Sequence, residues 1–461
     1  MKISTFLDRS SIIAKPGFNR WLVPPAALAI HLSIGEIYAY SVFNKPMTQL
    51  IGITESTPED WSLVQVGYIF SIAIVVLGAS AALFGKWLER VGPRKAMFVA
   101  AICFGSGFLV SSIGIELHNI WIVYFGQGIL GGIGLGIGYI SPVSTLIKWF
   151  PDKPGLATGL AIMGFGGGAM VAAPFGVSLM DYFKSATSVG LMETFIVMGI
   201  AYFILMMFGM WLVRIPAKDW KPKGFDPEKE AGKKKSAMIS THHVDANTAI
   251  KTPQFYLLFV VLLVNVSAGI GVLGQASVMI QEMFSASVVG SNAAVTAASA
   301  AGFVGLLSLF NMGGRFAWSS LSDRIGRKNT YSVFFLLGIL LYCLIPTLGH
   351  MANIVLFILA FSIIISMYGG GFATIPAYLR DMFGTFEVGA IHGRLLLAWS
   401  LAAVIGPQLV NNIRAYQIDT LGMPKAEAYS TTMYILAGLL VIGLVCNLLV
   451  KPVHEKYHLK Q

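Results

Sequence analysis

Twelve apolar runs dominate this sequence, and they restrict the chain to one class of architecture. They lie near residues 20–46, 62–85, 96–116, 120–147, 155–179, 193–213, 255–281, 293–320, 330–349, 352–379, 392–413 and 429–450. A helix of roughly 20 apolar residues crosses the hydrocarbon core of a bilayer and satisfies its own backbone hydrogen bonds there. Only 12% of the residues are charged, whereas soluble domains carry about 25%. We therefore predict an all-α membrane protein with twelve transmembrane helices.

One long polar segment, residues 215–254, separates the sixth apolar run from the seventh. It is rich in lysine and acidic residues and contains no run long enough to span a membrane. We expect this segment to be a cytoplasmic linker. The remaining residues would then form two six-helix halves, 1–214 and 255–461.

The positions of lysine and arginine predict the orientation of the helices. If the N-terminal tail is placed in the cytoplasm, 27 of the 32 basic residues fall in the tails and loops of that side. Lys45, Lys184, Arg414 and Lys425 lie on or near the other side, and Arg315 is the remaining one. Cytoplasmic loops usually carry such an excess. We expect both ends of the chain to be cytoplasmic, in a plasma (inner) membrane. The net charge of +10 thus reflects topology and indicates no nucleic-acid partner.

A short charged sequence occurs once in each half. Glu89-Arg90-Val91-Gly92-Pro93-Arg94-Lys95 and Asp323-Arg324-Ile325-Gly326-Arg327-Lys328 have their acidic residues 234 positions apart, and both are expected to be turns between helices. The segments 155–159 and 389–393 repeat with the same offset. Two related halves in parallel order, with a site between them, are typical of transporters. The residues that we assign to these conformational loop motifs are Gly85, Glu89, Arg90, Gly92, Arg94, Asp323, Arg324, Gly326 and Arg327.

Arg315 is the basic residue that is predicted to lie inside the membrane. It precedes Asp323 by eight residues, which corresponds to about 12 Å along a helix. Ala81 occupies the equivalent position in the first half, so the repeated architecture does not require a cation there. A charge at this depth costs at least about 2.5–3.5 kcal/mol, and a guanidinium group can bind a carboxylate through two parallel hydrogen bonds. We predict a substrate-binding arginine; the alternatives are a structural ion pair or a side chain that extends to the cytoplasmic surface.

The segment 85–95 and its copy after the eighth run resemble the loop motif of the major facilitator superfamily. Within that superfamily, the segments 38–43 and 313–315 resemble the oxalate/formate antiporter and monocarboxylate transporter group. The resemblance implies the twelve-helix fold of the superfamily. It also implies that Arg315 occupies the position of an arginine that binds the substrate carboxylate.

Three further positions acquire candidate roles from this resemblance. The oxalate antiporter has a second cation, a lysine, where this chain has Trp399, and animal monocarboxylate transporters have an aspartate where it has Asn311. Lys45 follows an aromatic residue, as a lysine does in proton-coupled monocarboxylate transporters, although an interfacial lysine is the alternative. We include Asn311, Trp399 and Lys45 with Arg315 as candidate substrate-binding residues.

His31 and Glu36 are the candidate proton carriers of the first predicted helix. They are five residues apart, which places them about 140° apart around a helix, so we expect one of them to face the central cavity. An intramembrane acid or imidazole can carry a proton; the alternative is a hydrogen bond to a neighbouring helix.

The sequence favours a secondary transporter of small organic anions that works by alternating access, as a monomer. One deep arginine without a second cation favours a monocarboxylate such as lactate, pyruvate or formate, coupled to a proton or anion gradient. An exchanger of the oxalate/formate kind is the alternative, and a membrane sensor with the same fold is a candidate from a different class. No G-x-x-x-x-G-K-[ST] loop is present, so ATP is not the expected energy source. We expect no enzymatic activity, cofactor or metal.

Overall fold

The computed structural model describes residues 3–218, 220–225, 239–240, 242–290 and 294–459. Twelve long helices account for most of these residues. They are α1 Arg20–Met47, α2 Leu63–Val91, α3 Pro93–Glu116, α4 Ile120–Trp149, α5 Pro154–Phe183, α6 Leu191–Leu212, α7 Pro253–Met283, α8 Ala297–Ile325, α9 Arg327–His350, α10 Ile354–Phe383, α11 Val388–Thr420 and α12 Ser430–Leu449. All except α8 qualify as membrane spans by length and composition, and α8 has 29 residues. The predicted fold class is confirmed.

The charged motifs differ from the turns predicted at these positions. α2 continues to Val91 and α8 to Ile325, so that one glycine alone, Gly92 or Gly326, separates each helix from the next. These glycines have φ angles of 86° and 87°, a region that a residue without Cβ enters at little cost. The acidic residues of the motifs therefore lie in the last helical turns, and the predicted helix ends at residues 85 and 320 are too early.

Helix α1 changes its geometry half-way along its length. Its first part is α-helical to Ile34, and the segment Gly35–Phe43 is a 3₁₀ helix. Gly35 lies so close to α5 that a Cβ atom would be 2.4 Å from the carbonyl oxygen of Phe165. Interruptions of this kind often mark functional sites. α4 and α11 are also irregular, with a π-helical segment at Tyr124–Gly131 and a break at Leu396.

Helices α8 and α10 approach each other through glycine. A Cβ atom on Gly314 would lie 2.1 Å from the backbone oxygen of Ser366, whereas the neighbouring Gly313 has open space around it. We expect Gly314→Ala to destabilise the fold by about 1–3 kcal/mol, because the two backbones would have to move apart. Gly313→Ala is the matched control. Melting curves of the purified variants check this prediction. Equal melting midpoints for the two variants would contradict it.

The ends of the polar segment pack against the side of the molecule that carries the loop motifs, which we call the motif side. Ile215 forms an isolated β-bridge with Ile13. The Val244 N–H donates to the backbone oxygen of Phe383 at 2.9 Å. The lysine run at 233–235, in the middle of the predicted linker, lies outside the described residues. The linker bounds 215–254 and the halves on either side stay a prediction. Below, N-half and C-half denote α1–α6 and α7–α12.

Candidate functional site

Arg315 lies inside α8 with its side chain fully buried. Its Nε–H donates a hydrogen bond to Oδ1 of Asn311, one helical turn earlier, at 3.0 Å. Its other two nitrogens, Nη1 and Nη2, have no hydrogen-bond partner among the described residues. A buried guanidinium group with unmet donors is costly unless a ligand meets them. Asn311 thus orients Arg315 and leaves the two terminal nitrogens free for an anion.

Aromatic side chains from both halves surround this guanidinium group. Its Cζ atom lies 5.3 Å from the ring centre of Phe372, 5.7 Å from Phe165 and 6.0 Å from Tyr38. These distances are within the range of cation–π attraction. Trp399 and Tyr139 complete the group, because the Trp399 ring centre is 4.7 Å from Phe372 and 5.4 Å from Tyr139. We call these five residues the aromatic cage.

The unpartnered polar atoms of the cage suit an anion. Within the described part of the chain, Trp399 Nε1 and the Tyr139 hydroxyl are buried without a hydrogen-bond partner, as are both terminal nitrogens of Arg315. Indole and guanidinium N–H groups only donate, and a carboxylate only accepts. On another side of Arg315, the hydroxyls of Tyr38 and Tyr368 lie 3.2 Å apart and link the two halves. The site therefore presents donors in an apolar, buried setting, where electrostatic attraction is strong.

His31 lies directly behind the cage. Its ring centre is 5.3 Å from that of Tyr139 and 6.4 Å from that of Phe165. Nδ1 contacts the backbone oxygen of Ala161, and Nε2 is 3.1 Å from the backbone oxygen of Tyr139. A neutral imidazole can donate to only one of these oxygens, whereas an imidazolium can donate to both. The two backbone oxygens thus provide one acceptor for each N–H group of an imidazolium at His31.

Glu36 is fully buried in the 3₁₀ segment of α1, away from the cage. Its electrostatic neighbours are Tyr40 and Tyr202, and the latter packs against α3 at Phe104. Neither carboxyl oxygen has a hydrogen-bond partner among the described residues. His31 and Glu36 therefore face different surroundings, and Arg315 is an electrostatic neighbour of His31.

The structure brings two of the three other candidate binding residues to Arg315. Asn311 and Trp399 belong to the site, but Lys45 is an exposed residue at the far end of α1. Lys45 follows Tyr38 by seven residues, five in the 3₁₀ segment and two in the α-helical end of α1, which corresponds to about 13 Å along the helix. It does not form part of the cage.

Sequence reasoning did not identify Tyr139, Phe165 and Phe372 as site residues. Aromatic residues inside apolar runs look alike, whether they line a site or face lipid. A signal for Phe165 exists in the glycines on both sides of it: a Cβ on Gly166 would lie 2.7 Å from Nε of Arg315. Gly166 allows the arginine of α8 to approach α5, whereas Gly164 allows the close approach of Leu28 and His31 on α1.

The acidic motif residues connect the two halves on the motif side. Asp323 accepts hydrogen bonds from the backbone N–H groups of Gly155 and Leu156, both at 2.9 Å. Glu89 accepts one from Gly389 N–H at 3.1 Å. Each carboxylate thus lies at the N-terminus of a helix from the other half, where the helix dipole favours negative charge.

Basic residues complete this network to different extents. Arg327 donates to Asp323 at 2.5 Å and to Asp381 at 3.0 Å. Arg94 donates to backbone oxygens of the N-terminal segment and of residue 213, whereas the side chains of Arg90 and Arg324 are exposed. A Cβ on Gly85 would lie 2.6 Å from Cα of Ala390. The two halves are therefore in close contact on the motif side.

Comparison with known proteins supports this architecture. Residues 17–407 match the family described as the Major Facilitator Superfamily. The chain belongs to the Major Facilitator Superfamily. One curated relative is an uncharacterised MFS-type transporter, YhjX, of Escherichia coli, which is 24% identical over 84% of this chain and 86% of its own length. Another is the oxalate:formate antiporter of Oxalobacter formigenes, which is 26% identical over 84% of this chain and 83% of its own. The resemblance inferred from the motifs is thereby confirmed.

Solved structures of superfamily members agree with the helical arrangement. The crystal structure of the Escherichia coli fucose:proton symporter superposes with a TM-score of 0.64 at 14% identity. The match covers 93% of this chain and 98% of the symporter. At this level of identity the likeness shows the fold alone. The protein is a multi-pass membrane transporter of this superfamily.

Proposed function

We propose that this transporter carries small organic anions, and most directly a monocarboxylate of the size of lactate, pyruvate or formate. The observation that carries the proposal is the pair of unpartnered terminal nitrogens on Arg315, buried in the aromatic cage between the halves. Their fork matches the two oxygens of a carboxylate. The cage would exclude water and contact the short apolar part of the substrate.

Alternating access would move this anion across the membrane. The motif side, which we place in the cytoplasm together with both ends of the chain, is closed by the contacts of Asp323 and Glu89. Rocking of the halves about the cage would open that side and close the other. Each half contributes residues to the cage, so a single chain contains a complete site.

Exchange of two anions is the alternative to symport with a proton. The oxalate:formate antiporter is a relative, which supports exchange. The cage has an indole N–H at Trp399 in place of a second cation, so one charge on the protein faces the substrate. A single positive charge on the protein favours a substrate with one negative charge over a dianion.

Uptake by proteoliposomes tests the proposal. Purified protein is reconstituted, and the entry of labelled lactate, pyruvate or formate is measured under an imposed pH gradient and, separately, with an unlabelled anion inside. Competition by a series of small mono- and dicarboxylates then defines the substrate. Uptake that is inhibited best by monocarboxylates supports the proposal. Binding and transport of uncharged solutes alone would refute it.

Replacement of the two proton candidates distinguishes symport from exchange. We expect His31→Gln to abolish uptake driven by a pH gradient, because the glutamine amide does not bind and release a proton in this pH range as an imidazole does. Glu36→Gln tests the second candidate in the same assay. Anion-for-anion exchange should survive in both variants, since exchange does not require the empty carrier to return. Unchanged pH-driven uptake in both variants would remove α1 from the coupling mechanism.

A further inference from the structure

A second buried histidine, His392, lies where the two halves meet on the motif side. It belongs to the first segment of α11, Val388–Leu395, and is 1% exposed. Neither of its ring nitrogens has a hydrogen-bond partner among the described residues. Its ring centre is 5.8 Å from that of Tyr139, which is on α4 of the N-half. A polar ring without partners is thus held in a contact between the halves.

The backbone around His392 forms part of the same closed contact. Gly389, three residues earlier, donates to Glu89 of α2. Gly393, the next residue, lies so close to α2 that a Cβ atom would be 2.2 Å from the carbonyl oxygen of Ala81. The segment cannot leave the N-half on the motif side without also separating His392 from Tyr139. We therefore expect the opening of that side to expose the imidazole to water.

We propose that His392 binds a proton from the motif side when the halves separate there, and that the bound proton keeps that side open. In the closed state the imidazolium would carry two N–H donors without an acceptor, which is costly in a dry contact. In water the same group is hydrated and changes its charge between about pH 5 and 8. Acidification on the motif side would therefore favour the open state, because that state alone accommodates the proton.

The charged and titratable groups around His392 agree with this direction. His31 of α1 interacts with it electrostatically and, like Tyr139 of α4, provides no negative charge. Two further cations are accounted for: Arg90 of α2 is exposed, and Arg394 of α11 donates to the Ala246 backbone oxygen and to Asn247. On α2, Glu89 forms an ion pair with Lys148, and Lys86 lies 3.6 Å from Glu387. On α10, Asp381 forms ion pairs with Arg327 and Arg380. The Tyr378 hydroxyl of the same helix donates to Asn447. α7 has no titratable residue between Tyr256 and Glu282, and Ala246–Ala249 of the linker has none.

A distance across the motif side measures this equilibrium without substrate. Lys95 and Asn329 are exposed and occupy equivalent positions at the starts of α3 and α9. Spin labels are attached at Lys95→Cys and Asn329→Cys after Cys103, Cys343 and Cys446 have been replaced by alanine. Pulsed electron–electron double resonance on full-length protein in nanodiscs then measures the distance between the two labels. The distance distribution gives the closed and open fractions at each pH.

We expect the longer distance to gain population as the pH falls from 8 to 5. A single proton that binds only the open state changes the closed-to-open ratio by up to about tenfold per pH unit. His392→Gln, which is neutral at every pH, should remove the dependence and stay closed. His392→Arg, which is always charged, should stay open. If His392→Arg does not fold, the loss of pH dependence in His392→Gln and in His392→Phe tests the proposal.

Other histidines on the motif side provide the matched control. His242 and His458 stack with ring centres 4.8 Å apart outside the membrane-spanning helices. The double variant His242→Gln/His458→Gln should keep the full pH response. A pH response that survives in His392→Gln, or that is absent from the unmodified protein, would overturn the proposal. Because no substrate is used, the result does not depend on the role of Arg315 or on which anion is carried.

Discussion

Arg315→Ala is expected to abolish binding of the carboxylate substrate. Removal of one partner from a buried charge pair typically costs about 2–5 kcal/mol, much of which arises from the charge left unpaired. Arg315→Lys keeps the charge but loses the planar fork that presents two parallel donors, so binding should weaken and transport should fall strongly. Isothermal titration of the purified variants with the monocarboxylate found by competition measures both effects.

Folding and nonspecific charge effects need separate controls for these variants. Arg324 is an exposed arginine of the same helix, and Arg324→Ala should leave the affinity unchanged. Expression level and melting temperature report whether the Arg315 variants fold. A well-folded Arg315→Ala protein that binds its carboxylate with the original affinity would show that the arginine is structural and that the proposed site is wrong.

Asp323→Asn is expected to lower the transport rate while leaving substrate affinity nearly intact. The carboxylate accepts from Gly155, Leu156 and Arg327, and its replacement by an amide removes the charge from these bonds. Hydrogen bonds to charged groups contribute about 1.5–3 kcal/mol each, so the closed-to-open ratio should change by roughly tenfold or more. Arg315 lies eight residues before Asp323 on α8, so the binding site should keep its geometry.

Maximal uptake rate and binding affinity, measured on the same preparation, test this separation of effects. Glu55 is an exposed acidic residue outside the motifs, and Glu55→Gln controls for the loss of a negative charge. Glu89→Gln should resemble Asp323→Asn, because Glu89 bonds to the start of α11 as Asp323 does to the start of α5. A large loss of affinity at a normal maximal rate would contradict the assignment.

The depth of Arg315 could be predicted from the sequence because a helix has a fixed rise per residue. Eight residues separate Arg315 from Asp323, and α8 is continuous between them. The same reasoning predicted the order of the twelve helices, since the bilayer requires a minimum apolar length for each. It placed the helix ends on the motif side too early, because the charged last turns of α2 and α8 extend beyond the apolar runs.

The surroundings of Arg315 required the folded chain. Phe165 and Phe372 are 207 positions apart in the sequence, and nothing in their apolar runs distinguishes them from aromatic residues that face lipid. The sequence also could not predict which of His31 and Glu36 has Arg315 as a neighbour. α1 becomes a 3₁₀ helix at Gly35, so the angle between the two side chains departs from that of a regular helix. The change occurs where Gly35 packs closely against α5, a contact that is visible only in the folded chain.

The sequence by itself therefore determined the membrane class, the two-part repeat and the presence of one deep cation, because these depend on composition, spacing and helical rise within single segments. Tertiary structure alone decided that five aromatic residues enclose this cation, and that Asp323 and Glu89 bond to helices of the opposite half. These are contacts between residues far apart in the chain. They depend on how whole helices pack against one another. The periodicity of residues within one helix does not predict that packing.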